Sequence, residues 1–178
     1  MGRQIVLLRG INLGAARRVS MADLRELLES DGYEDVRTHL QSGNVLLSSP
    51  LSPRRLETAL ERRLRERFGF EVPVLVRTRP ELAKVVARDP LGAVATNGSR
   101  YMVSFLSKAP PAKVVRELEV ADVAPERLVV AGRELYTWHP EGVQRSQLAK
   151  LLSDERLGVT STARNWNTVT KLLELAGG

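Results

Sequence analysis

The chain opens on an unbroken apolar run, Ile5-Val6-Leu7-Leu8, which passes into the polar stretch Arg9-Gly10-Ile11-Asn12-Leu13-Gly14. A short apolar run bounded by turn residues reads as a buried strand, and this one is expected to be the centre of a sheet. The period then changes. Ser20-Met21-Ala22-Asp23 has the form of a capping box that opens a helix. Met21, Leu24, Leu27 and Leu28 fall on one helical face, and Gly32 supplies the stop. Val36 to Leu40 and Val45 to Leu47 read as strands joined by the turn Gln41-Ser42-Gly43-Asn44, where glycine accommodates positive φ and asparagine tolerates it. Ser52-Pro53 puts proline at the first position of a second helix. Its stripe of Leu56, Leu60, Leu64 and Phe68 repeats every four residues until Gly69. Val72 to Arg77 is a fourth strand.

Residues 1–77 therefore predict the order β-α-β-β-α-β, the ferredoxin-like motif. Right-handed crossovers would make the first and second strands parallel, with the third antiparallel between them. The end of the first strand then lies on the same sheet edge as the hairpin between the second and third. Arg9–Asn12 and Gln41–Asn44 are expected to meet there, although far apart in the chain.

The second half has a similar style. Pro80 opens a helix carrying Leu82, Val85 and Val86, and Thr96 to Ser99 is a loop. Tyr101 to Leu106 reads as a strand, and a short helix with Val114, Val115 and Leu118 follows Pro110-Pro111. Leu128–Val130 and Leu135–Trp138 form a hairpin around Gly132. Gly142 to Leu152 is a loop entering a helix, and Asp154–Leu157 is a single turn before Gly158. The polar stretch Thr162 to Asn167 is expected to lead, without a strand, into a last helix over Thr168–Leu175. The fold class expected is α+β: a ferredoxin-like first half over 1–78 packed with a related α+β second half over 79–178.

Composition narrows the chemistry. Hydrophobic content of 43% with 27% charged residues is globular. The absence of cysteine excludes a disulfide scaffold, thiolate zinc sites and a cysteine nucleophile. No run approaches the roughly 18 apolar residues of a membrane span, and no targeting segment is apparent, so a cytoplasmic protein without a membrane partner is expected. The net charge of +6 favours polyanionic partners, nucleotides or nucleic acid. Arginine supplies 22 of the 27 basic residues, however, and many of them read as solvated helix faces, such as Arg54, Arg55, Arg62, Arg63 and Arg65.

Five separated motifs resemble one family. They are Leu8-Arg9-Gly10-Ile11-Asn12, Gln41-Ser42-Gly43-Asn44-Val45, Arg67-Phe68-Gly69-Phe70, Gly142-Val143-Gln144-Arg145-Ser146 and Ala163-Arg164-Asn165-Trp166-Asn167-Thr168. The chain is similar to the uncharacterised bacterial proteins grouped as domain of unknown function 1697. It departs from their pattern at Leu13-Gly14-Ala15, where a second glycine is usual, and at Gln147, where a lysine is usual. The resemblance implies two ferredoxin-like halves and brings no activity with it.

The candidate site is drawn from those polar stretches: Arg9, Asn12, Gln41, Ser42, Asn44, Arg145, Ser146, Arg164, Asn165 and Asn167. The set donates hydrogen bonds and positive charge and contains no carboxylate. Arginine offers a fork matched to phosphate or carboxylate, and Gly10, Gly14 and Gly43 would let backbone N–H groups approach an oxyanion. Helix N-termini near Ser146 and Asn167 would add free N–H groups. The expected function is binding of a phosphate-bearing ligand, a nucleotide or a nucleic-acid backbone, without a metal or cofactor. The alternatives are a metal-independent enzyme acting on an anionic small molecule and a protein-interaction module without a ligand.

A structural reading of the same residues stands beside this one. Asn12, Ser42 and Asn44 would close turns, Asn165 or Asn167 would cap the last helix, and Arg9 and Arg164 would satisfy buried carbonyls. Two dispersed histidines, His39 and His139, make no metal site, and no nucleophile motif surrounds Ser42 or Ser146. Recognition of RNA bases is disfavoured, because the central strands lack the exposed aromatics that would stack on them.

Overall fold

The computed structural model describes residues 1–178. The chain divides into two compact units, one of Met1–Lys84 with Lys171–Gly178 and the other of Val85–Thr170. Each carries one four-stranded antiparallel sheet.

In the first unit the elements are β1 (Gly2–Leu8), α1 (Met21–Ser30), β2 (Glu34–His39), β3 (Asn44–Ser49), α2 (Pro53–Phe68) and β4 (Val74–Thr78), with the start of α3 (Arg79–Arg88). The sheet order is β2-β3-β1-β4, which is the ferredoxin-like arrangement, with β1 paired antiparallel to both β3 and β4. Val6, Leu8, Val45, Leu47, Val74 and Val76 face Leu24, Leu27, Leu28, Leu56, Leu60 and Leu64 of the two helices in one core. Ile5 and Leu7, on the opposite face of β1, are as fully buried as Val6 and Leu8. Burial on both faces explains why this strand reads as a continuous apolar run and not as an alternation. Ser20 caps α1 by accepting the Asp23 N–H, and Gly69 ends α2 in the left-handed conformation.

The second unit repeats the plan. Its elements are β5 (Tyr101–Leu106), α4 (Ala112–Glu119), β6 (Arg127–Ala131), β7 (Glu134–Trp138) and β8 (Ser161–Asn165), in the sheet order β6-β7-β5-β8. The crossover from β7 to β8 is a broken helix. It consists of a 3₁₀ turn over Val143–Arg145 and two single turns, α5 (Gln147–Lys150) and α6 (Asp154–Leu157). Leu148 and Leu157 are nevertheless fully buried, so the fragments still present an apolar side. α7 spans Trp166–Gly177.

Two sequence expectations are corrected here. Thr162 to Asn165 belongs to a strand, β8, paired with β5, and not to a loop; the last helix starts at Trp166 and not at Thr168. The mixed α+β class with two related halves is what the structure has.

Candidate anion-binding site

The end of β1 and the β2–β3 hairpin do meet. The Leu8 N–H donates to the Gly43 carbonyl at 2.8 Å, which fastens the last residue of β1 to the turn. Gly43 adopts φ +88°, and a Cβ there would stand 2.8 Å from both Leu8 Cβ and Ile11 Cδ1, so only glycine lets the strand end and the loop close over the hairpin.

Asn12 is the main tie of the loop. It sits at φ +54°, a conformation that asparagine tolerates better than most residues. Its Nδ2 donates to the carbonyls of Val19 at 2.8 Å and Gln41 at 2.7 Å, and its Oδ1 accepts the Val19 N–H at 2.9 Å. Both side-chain donors are thus spent within the protein, one of them on the hairpin. Asn44 is fully buried and donates to the His39 carbonyl at 2.8 Å and to Ser42 Oγ at 3.1 Å, which closes the turn.

Arg17 braces the other side of the loop. Its Nε donates to the Gly10 carbonyl at 2.9 Å, its Nη2 reaches the Glu71 carbonyl, and its guanidinium lies 5.1 Å from the Phe70 ring centroid. The Arg9 N–H donates to the Pro73 carbonyl at 3.0 Å, so the segment before β4 joins the same edge. Arg9 is half-buried, while Arg18, Gln41 and Ser42 are exposed. Neither 9–20 nor 40–45 contains an acidic residue, and the first stretch carries three arginines.

The other five candidates belong to the second unit. Ser146 is 2% exposed. Its Oγ accepts the Ala149 N–H at 2.8 Å and lies 2.8 Å from Nδ1 of His139, which is itself buried. Thr137 Oγ1 is 2.7 Å from His139 Nε2, and Glu126 sets one carboxylate oxygen 3.5 Å from Nδ1 while the other accepts the Leu148 N–H at 2.7 Å. Burial outweighs the Glu126 carboxylate and holds the His139 pKa below its ordinary value. The serine and histidine are within hydrogen-bond reach, but both are closed to solvent, Glu126 stands 3.5 Å from the same ring nitrogen, and the serine and glutamate are spent in capping α5.

Arg164, on β8, is also sealed. Its Nη1 donates to Thr162 Oγ1 at 2.7 Å and to the Ala163 carbonyl at 2.9 Å, and burial lowers its pKa to about 10, which leaves it charged at neutral pH. Asn165 Oδ1 accepts the Thr168 N–H at 2.9 Å and caps the start of α7. Asn167 is exposed and its amide packs directly over Gly98. Arg145 is exposed and borders a cavity of about 130 Å³ with Pro125, Glu126, Pro140 and Gln147. Within this unit Ser146 and Asn165 lie at the sheet end where β5 begins, away from the β6–β7 hairpin.

Sequence reasoning passed over Arg17 and Arg77. Arg77 is fully buried on β4, where its Nη1 donates to the Val76 carbonyl. A visible signal for it was a lone arginine directly following the apolar Val72–Val76 run on the same strand.

A family model described as "Protein of unknown function (DUF1697)" matches residues 1–136. The chain belongs to the DUF1697 family. The matched span includes the β1 loop and the hairpin and stops before Arg145 and Arg164. No match is found among curated proteins. Among solved structures, the conserved bacterial protein SP0830 from Streptococcus pneumoniae is similar, with a TM-score of 0.79 and 22% identity, each chain being covered over 98% of its length. At that identity the likeness is one of fold.

Proposed function

We propose that the protein binds a phosphate-bearing ligand at the β1 edge of its first unit, with Arg9, Arg18, Gln41 and Ser42 as the donors. The observation that carries this reading is the closure of the β1 loop on the hairpin through Asn12, Asn44 and Gly43. It brings the two stretches that carry Arg9, Arg18, Gln41 and Ser42 to one sheet end, with no carboxylate in either stretch. A loop whose backbone is already tied down loses less entropy on binding, and a guanidinium matches the geometry of a phosphate. Asn12, Asn44 and Arg17 hold the framework and do not contact the ligand. Ser146, Arg164 and Asn165 are spent within the second unit and form no part of the proposed donor set.

Isothermal titration with a nucleoside triphosphate and with inorganic pyrophosphate tests the proposal. Removing one charged hydrogen bond costs about 1.5–3 kcal/mol, so Arg9→Ala should weaken binding about 10- to 150-fold. Affinity that is unchanged in Arg9→Ala, Arg18→Ala and Gln41→Ala would remove the edge as the site.

A further inference from the structure

Helix α2 carries six arginines and three glutamates, and the two signs are used differently. The glutamates are held by the protein. Glu57 and Glu61 accept the N–H groups of Val76 and Val74, and Glu66 pairs with Arg63, which also makes a two-point ion pair with Asp31. Arg54, Arg55 and Arg62 are exposed and carry no salt bridge. They border a concavity of about 560 Å³ together with Ser52, Thr58 and Ala59. Thr58 and Arg62 also border a second concavity of about 310 Å³ that reaches Arg65 and Pro73. Because they share Thr58 and Arg62, the two are taken together as one furrow running along α2. It ends at the segment before β4, where the Arg9 N–H and the Arg17 guanidinium are also attached. Glu61 and Glu71 border its far end, the first tied to Val74 and the second lying 3.6 Å from Arg65.

We infer that this furrow binds the backbone of duplex nucleic acid, without regard to base sequence. The choice of partner rests on the reading of the neighbouring edge as phosphate-binding; the surface is a different one. Arg54, Arg55 and Arg62 are exposed guanidiniums, Arg62 feeling the Asp31 carboxylate only at longer range, and they complement phosphates, to which arginine is better matched than lysine. No aromatic side chain borders the furrow, so it offers no platform for the splayed bases of a single strand. A duplex keeps its bases stacked and presents phosphates alone. Arg54 and Arg62 are two turns apart, about 12 Å along the helix, and one strand of a duplex passes about three phosphates in that distance. A membrane surface is a poor match, because the face carries no large apolar side chain to insert.

The test is fluorescence anisotropy with a short DNA duplex of mixed sequence across a salt series. Neutralising three phosphates predicts a slope of log affinity on log salt of about −2.7, which is about a 40-fold loss between about 50 and 200 mM salt. The combined variant Arg54→Ala/Arg55→Ala/Arg62→Ala should lose that slope and at least tenfold in affinity. Alanine is the best helix former, so its circular dichroism melt should match the parent. Arg116→Ala, at an exposed position of α4, should change nothing. An unaltered slope in the α2 variant, an equal loss in Arg116→Ala, or tighter binding to a single strand or to anionic vesicles would overturn the inference. If duplex binding fell only in Arg9→Ala, the furrow would be ruled out while the edge stood. Pyrophosphate binding without any duplex binding would have the same meaning.

Discussion

Single side chains decide whether the β1 loop has one shape. Asn12 supplies partners for two backbone carbonyls and one backbone N–H, and does so from a left-handed conformation. In Asn12→Ala the two carbonyls and the Val19 N–H lose their partner and the unfavourable φ remains. The expected cost is about 2 kcal/mol in urea unfolding, accompanied by loss of whatever ligand the edge holds. His139 makes a separate prediction about pH. Burial depresses its pKa in the folded protein below the ordinary 6.5, so between those two values the unfolded chain binds more protons. Stability is full above about pH 6.5 and falls as pH drops through the window beneath it. Denaturation midpoints measured from pH 7.5 down to 5 should show this decline, and His139→Gln should flatten the part that belongs to the imidazole. An identical decline in the variant would assign it to carboxylates instead.

At the scale of elements, α2 does more than fill the core. β4 is an edge strand, and its outward N–H groups at Val74 and Val76 are taken by Glu61 and Glu57, one helical turn apart. This pairing blunts an edge that would otherwise be open to another strand. Glu57→Ala with Glu61→Ala should cost about 2 kcal/mol and raise light scattering at high concentration, whereas the glutamine versions, which keep an acceptor, should cost less. The elements of the first unit were legible because each carries its own signals: the apolar run of β1, the capping box at Ser20, the four-residue stripe of α2. β8 was not. Its inward positions are Thr162 and Arg164, so its alternation is between polar residues and looks like a loop. The crossover between β7 and β8 carried no helical period for a different reason, since it consists of a 3₁₀ turn and two single helical turns. The meeting of Arg9–Asn12 with Gln41–Asn44 was legible because connection rules place it there. Which of those side chains would be consumed in making the contact was not, because that depends on loop geometry at Gly43 and Asn12.

For the whole molecule, the two sheets share one strand order, yet their polar loops are used differently. In the second unit Ser146 is sealed against His139 and Arg164 is buried on its own strand. In the first unit Asn12 and Asn44 are consumed in closing the loop on the hairpin, while Arg18, Gln41 and Ser42 are exposed. The DUF1697 match includes that sheet end, and the fold likeness to the pneumococcal protein extends over nearly the full chain. The net charge of +6 suits an anionic ligand but does not select a place for it. The most direct test of the place is a map of backbone amide shifts by NMR as pyrophosphate is added. The account predicts saturable shifts concentrated in residues 9–20 and 41–44, absent in Arg9→Ala. Saturable shifts centred on residues 142–147 or 164–167, or none at all at the β1 edge, would contradict it.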